Sequence, residues 1–194
     1  MLKKMAQSTI QWLMKKTDIS PSDFSIYAYG AELAIYSLLS TCILLLVGCI
    51  THNGLNTIFI ISFFYILQTV GGGFHANSHT RCLLTMVICL ILALYMIQKI
   101  SVLNYELIVS GISFWILLKF PLVIHDNKRY LYSREKSLIF KSKFFACFLM
   151  IIILFCLYFN FPYTPALTIG YFLAAISRFV AVIQKAHMQQ DTSP

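Results

Sequence analysis

Charged residues are scarce in this chain, which has 11% Asp, Glu, Lys and Arg among its 194 residues. A typical soluble domain carries about 25%. Hydrophobic residues make up 59% of the sequence, and the mean hydropathy is +0.77. This composition excludes an ordinary soluble domain, and no break in it marks a separate one. We therefore predict one integral membrane domain over residues 1–194.

Other features are absent as well. The alternating segments of about ten residues that form β-barrel strands are not seen. A cleavable signal peptide needs a continuous apolar core, and Gln7, Ser8, Thr9 and Gln11 interrupt the N-terminal segment. The six cysteines do not form close pairs in polar loops, which argues against a disulfide framework or a zinc knuckle.

The apolar residues occur in blocks whose length suits helices that cross a ~30 Å hydrocarbon core. We predict an all-α integral membrane protein with six transmembrane helices and an amphipathic interfacial helix over residues 1–17. The predicted spans cover about 27–50, 57–70, 83–97, 103–124, 144–159 and 165–183.

Basic residues predict the orientation. Lys99 alone lies on one side of the predicted bundle. Twelve lie on the other: Lys3, Lys4, Lys15, Lys16, Arg81, Lys128, Arg129, Arg134, Lys136, Lys141, Lys143 and Lys185. By the positive-inside rule that side, with both termini, faces the cytoplasm. Within the spans, Lys119, Arg178 and Glu106 are predicted to lie at the interfaces, because long side chains near helix ends reach water.

The segment GGGFHANSHTRC (71–82) lies between spans two and three and carries residues suited to chemistry. Cys82 would sit in the first turn of span three, with Asn77, Ser78 and Thr80 as candidate N-caps. The positive end of a helix and the neighbouring Arg81 both favour the nucleophilic thiolate.

Two histidines are candidate bases for this thiol. His79 is three residues before Cys82, on the same helical face. His75 is seven residues before it, about 10 Å along a regular helix, so it reaches the thiol only if the chain folds back. A zinc site of His75, His79 and Cys82 is an alternative, although Ala76 stands where H-E-x-x-H has its glutamate. A purely structural turn and a small peptide transporter or exporter also remain open.

The sequence resembles the accessory gene regulator B (AgrB) family. The resemblance rests on Gly72, Gly73, His75, Ala76 and Cys82, and extends to YGAELAIYSLL (29–39) and KFPLVIHDNKRYLYSREKSL (119–138). It implies a membrane cysteine endopeptidase that cleaves a quorum-sensing propeptide through an acyl-enzyme thioester. An internal nucleophile of the peptide then closes a thiolactone ring. The family motif implies Cys82 as nucleophile and His75, rather than His79, as general base.

Further site residues follow from this resemblance. Glu32 lies where the family carries Gln or Glu, and is predicted to orient His75 or hold substrate; pairing with Arg81 or Lys119 is the alternative. Gln68 stands where some members have arginine. Support of the substrate or of the oxyanion is predicted for Gly73, Ser78, Arg81 and Gln68. No metal or other cofactor is expected.

The implied partners are a short amphipathic propeptide and the lipid bilayer of the bacterial cytoplasmic membrane. The active site would face the cytoplasm. Homodimerisation is compatible with such a small bundle, although nothing in the sequence requires it, and no nucleic-acid partner is expected. The basic loop, with Lys128, Arg129, Arg134 and Lys136, is either a topology determinant or a surface that steers the acidic tail of the propeptide.

Charge reversal separates these two readings of the loop. Changing Arg134, Lys136, Lys141 and Lys143 to glutamate should slow propeptide processing about tenfold or more at low salt, because electrostatic steering raises association rates by 10–10³-fold. Processing rates at low and high ionic strength would measure this. An unchanged rate in correctly inserted protein would exclude steering.

Overall fold

The computed structural model describes residues 2–14, 16, 24–73, 78–99, 105–122 and 135–190. These residues form α-helices and no strand, which confirms the all-α class for this part of the chain. The helices are α1 (Leu2–Met14), α2 (Phe24–Ile50), α3 (Gly54–Gly71), α4 (His79–Lys99), α5 (Tyr105–Lys119), α6 (Glu135–Tyr158) and α7 (Thr164–Gln190).

Within the described residues, five helical stretches are long and apolar enough to cross a membrane: Tyr27–Ile50, Gly54–Gly71, Thr80–Gln98, Lys136–Tyr158 and Thr164–Ala186. They indicate a multi-pass membrane protein. The predicted fourth span falls on α5, whose 15 residues extend only about 22 Å. Six spans, their orientation and the interfacial placement of α1 therefore stay predictions. Helix α6 begins at Glu135 rather than near 144, because it continues from the apolar run into the basic segment.

The chain divides into two compact units, residues 1–47 and 48–194. In the first unit α1 leaves the indole of Trp12 exposed, and the Lys16 ammonium lies 4.3 Å from the centre of that ring. This cation–π contact holds Lys16 against the helix. The prediction of one domain stays a prediction.

Helix α7 is the centre of the second unit. It packs against α3, α4, α5 and α6. In its apolar 18-residue stretch 56% is buried, whereas the corresponding share in the other four candidate spans is 17–28%. Small residues allow this packing: a Cβ on Gly170 would lie 2.6 Å from the Ile60 carbonyl oxygen of α3. In lipid, such small residues let helix backbones approach closely enough for van der Waals contact to hold them together.

Large apolar residues lie on both the inside and the outside of this unit. Phe63, Leu67, Leu149 and Ile153 belong to its buried core. In the same core the Tyr171 hydroxyl donates to the Ala146 carbonyl at 3.0 Å, so it is satisfied without water. Many other large hydrophobic side chains are exposed, among them Ile88, Leu92, Trp115, Ile151 and Phe155. An exposed apolar surface this extensive suits lipid rather than water.

A tight turn joins α6 to α7. Asn160 has a φ of 50°. Its N–H donates to the Leu157 carbonyl at 3.1 Å, and the Phe161 N–H donates to the Cys156 carbonyl at 2.9 Å. This is a Schellman motif, in which a left-handed residue ends the helix and satisfies its last carbonyls.

Gly170 gives a test of the α3–α7 contact. Gly170→Ala should lower the free energy of unfolding in detergent by about 1–3 kcal/mol, because the new methyl group meets rigid backbone. Gly111→Ala in α5 is the matched control: nothing lies within 4 Å of its Cβ, and alanine is the better helix former. Equal stability of the two variants, measured by thermal unfolding, would contradict the close contact.

Candidate active site

One end of the second unit is organised by Arg178 of α7. Its Nη1 donates to the Leu117 carbonyl of α5 at 2.8 Å, and its Nη2 donates to the Ser142 hydroxyl of α6 at 2.7 Å. The residue is only 2% exposed. The expectation that the Arg178 charge reaches water is therefore wrong, because the side chain turns inward and bonds to neighbouring helices; its interfacial depth stays a prediction.

The glycine-rich segment begins where α3 ends, at the same end of the unit. Gly71 is the last residue of α3, and the Gly72 N–H donates to the Gln68 carbonyl at 3.1 Å. Gly72 has φ 64° and ψ 176°, a region that is essentially restricted to glycine. Any other residue at position 72 would strain the exit of the chain from α3.

At the two flanking glycines, neighbouring side chains occupy the space that a Cβ would fill. A Cβ on Gly71 would overlap the Arg178 guanidinium and lie 3.2 Å from the Ser142 hydroxyl oxygen. A Cβ on Gly73 would overlap the side-chain amide of Gln68. The same Gln68 amide oxygen accepts from the Ser177 hydroxyl at 3.2 Å. Arg178 and Gln68 therefore lie directly against the backbone that precedes the His/Cys motif.

Cys82 lies in the first turn of α4, which begins at His79. The Ser78 hydroxyl accepts from the Arg81 N–H at 3.3 Å, and the Cys82 N–H donates to the Ser78 carbonyl at 3.1 Å. Ser78 is thus the N-cap among the candidates that the sequence offered. Cys82 is half-buried and Arg81 is exposed. The Cys82 N–H is engaged by the helix, so it is not available to bind an oxyanion.

Several predicted site residues lie outside the described part of the chain: His75, Lys128, Arg129 and Arg134. Lys136 is exposed near the start of α6. Glu32 is half-buried on α2 in the unit formed by residues 1–47, whereas Cys82 belongs to the other unit. The roles predicted for Glu32 and His75 stay predictions.

The described residues hold no group of three His, Cys, Asp or Glu side chains that could bind a metal ion. The zinc alternative includes His75, so it is not tested by this finding. The six cysteines form no disulfide bond.

The sequence reasoning missed the interior role of Arg178. The available signal was a polar stripe at helical spacing along α7: Thr164, Thr168, Tyr171 and Arg178 are separated by four, three and seven residues, and all are buried. Residues at this spacing share one face of a helix. The stripe would have placed Arg178 on the face that packs inside the bundle.

Comparison with known proteins yields a family. The family model described as AgrB, accessory gene regulator B, matches residues 6–178, which is most of the chain. No curated protein and no solved structure matches this chain.

The cap at Ser78 gives a test of the α4 N-terminus. Ser78→Ala removes an acceptor whose loss typically costs about 1 kcal/mol, so the first turn should fray and alkylation of Cys82 should slow several-fold. Ser78→Asn should restore the rate, because asparagine caps equally well. Peptide mass spectrometry would follow Cys82 alone, with Ser62→Ala on the exposed side of α3 as the control. Equal alkylation of Ser78→Ala and wild type would contradict a capping role.

Proposed function

Because the chain belongs to the accessory gene regulator B family, we propose that it is a membrane-embedded cysteine endopeptidase. The family is associated with the agr quorum-sensing system and with processing of its propeptide. Cys82 would cleave the C-terminal part from a short amphipathic propeptide of the AgrD type, and the peptide would then cyclise to a thiolactone.

The proposal rests mainly on the position of Cys82. Its thiol stands in the capped first turn of a long apolar helix, four residues after Ser78 and next to the exposed Arg81. Helix N-termini and neighbouring cations favour the thiolate, which is the nucleophilic form of cysteine. None of the other five cysteines lies in the first turn of a helix, since all of them occur farther along α2, α4 and α6.

The proposed reaction has two acyl transfers. First, the Cys82 thiol gives its proton to His75 and its sulfur attacks the scissile carbonyl; the C–N bond breaks, His75 passes that proton to the leaving amine, and a thioester remains. Second, the thiol of an internal cysteine of the peptide loses its proton to His75 and attacks that thioester. The ring closes as a thiolactone, and Cys82 is released. One thioester replaces another, so ring closure needs no ATP.

Several roles around this reaction are part of the proposal. His75 is the general base and later the acid, and Glu32 orients it or holds the substrate. Substrate and oxyanion contacts come from the segment around Gly73 and Ser78, from Gln68 and from the exposed Arg81. No metal or other cofactor takes part.

Charge at the same end of the unit supports an acidic substrate. Ser142, which binds the Arg178 guanidinium, lies between Lys141 and Lys143 on α6, and both lysines are exposed. Arg178 also contacts Gly71, the last residue before the glycine-rich turn. A positive field beside this turn would draw in an acidic peptide tail. We propose that this end faces the cytoplasm; a homodimer is compatible with such a small bundle, and the proposed reaction does not require one.

Mutation of the nucleophile and the two histidines tests the mechanism. Cys82→Ala and His75→Ala should lower propeptide cleavage by at least 10³-fold, because loss of the nucleophile or of its base removes covalent catalysis. His79→Ala should stay within about threefold of wild type. The measurement is co-expression with the propeptide, followed by mass spectrometry of the peptide and of Cys82.

Each alternative function gives a different result in the same assay. A peptide transporter would keep its function in Cys82→Ala. A zinc protease would lose activity with a chelator and resist thiol alkylation. An inactive His79→Ala beside an active His75→Ala would reverse the assignment of the base.

A further inference from the structure

Arg178 is a buried cation that no acidic side chain neutralises among the described residues. The chain has seven acidic residues in all. Glu106 is the acidic residue of α5, and it precedes Leu117 by eleven residues, which is about 16 Å along a helix. A charged group inside a membrane bundle is costly, so its partners indicate what it does there.

Two helix ends lie beside the guanidinium, where the described side chains offer no carboxylate. Leu117, whose carbonyl accepts from Nη1, lies in the last turn of α5, which ends at Lys119. Gly71, which lies against Nη2, is the last residue of α3. Each helix C-terminus carries the equivalent of about half a negative charge and carbonyls without helical partners. The two ends together offset about one positive charge.

Arg178 also works together with its neighbour in the chain. Ser177 donates to the Gln68 side-chain oxygen, and the Gln68 amide lies directly against Gly73. Consecutive residues of α7 therefore support both glycines that flank Gly72, one through the guanidinium and one through Gln68. We call Ser177, Arg178 and Gln68 the α3-end support.

From this geometry we infer that Arg178 is a positioning residue for the peptidase reaction. Its guanidinium fixes the end of α3, and with it the backbone path of Gly71–Gly73 into the segment that leads to Cys82. The inference rests on the proposed function, since it assigns Arg178 a part in the reaction of Cys82. The inference also explains why residue 71 is glycine: without a Cβ, it leaves free the space that the guanidinium fills.

The test compares Arg178→Met, which keeps volume and removes charge, with Arg178→Lys and with the full-length wild type. Arg178→Met should lower kcat by about tenfold to 100-fold with KM within about threefold, because small misplacements near a reacting centre cost that much. Arg178→Lys should recover part of kcat, since an ammonium still serves a helix C-terminus. Rates are normalised to the monodisperse fraction on size exclusion. Lys119→Gln is the matched control: it removes an exposed cation from the end of α5 and should keep the wild-type kcat.

A second variant covers the case in which Arg178→Met does not fold. Ser142→Ala removes one acceptor of the guanidinium and leaves the charge in place, so it should lower kcat several-fold without raising KM. A purely structural Arg178 would lower the folded fraction and leave kcat per folded molecule unchanged. A kcat within twofold of wild type in each of these two variants that folds, including Ser142→Ala alone if Arg178→Met does not fold, would overturn the inference.

Failure of the inference is distinct from failure of the proposed function. Cleavage that persists in Cys82→Ala would refute the peptidase mechanism, whatever Arg178 does. Loss of cleavage in Cys82→Ala together with normal kcat in the Arg178 and Ser142 variants would refute the positioning role alone.

Discussion

The buried Arg178 guanidinium is the interaction on which one end of the helix bundle depends. It bonds to α5 and α6 from α7, and it leaves space for α3 only because residue 71 is glycine. An isolated cation in a membrane protein is unfavourable by several kcal/mol, and removing one partner of a buried charge is usually worse than never having had the pair. The two helix C-termini that meet at this point therefore stabilise the buried charge, and the charge in turn stabilises the negative ends of these helices.

The three consecutive glycines at the end of α3 have different structural roles. Gly72 adopts a dihedral region that other residues avoid, whereas Gly71 and Gly73 face the side chains of Arg178 and Gln68 with no room for a Cβ. A glycine run between two membrane helices is readily taken as a flexible linker. Here the described part of the run is confined on both sides, so its conformation is specified by packing rather than left free.

Sequence reasoning predicted most helices because apolar runs determine where a membrane helix lies. Helix α7, predicted over 165–183, spans Thr164–Gln190, and the N-cap of α4 is among the residues predicted for it. The start of α6 was missed because helical hydrogen bonding continues beyond the apolar run. The inward-facing position of Arg178 was missed for a different reason: its partners are one backbone carbonyl and a serine of other helices, and the polar stripe along α7 indicates a buried face without identifying these partners. The family assignment, by contrast, depended on a short motif and was confirmed over residues 6–178.

Rigidity around Gly71–Gly73 matters more for the proposed cyclisation than for simple proteolysis. The proposed thioester on Cys82 would have two fates, attack by water or attack by a nucleophile of the same peptide. Holding the peptide thiol near the thioester makes ring closure effectively unimolecular, an advantage that reaches several orders of magnitude in well-oriented systems. A stronger base would accelerate both fates, because it activates water as well as the thiol. In the proposed reaction, the choice of ring closure over hydrolysis would therefore depend on geometry and on limited access of water to the half-buried Cys82.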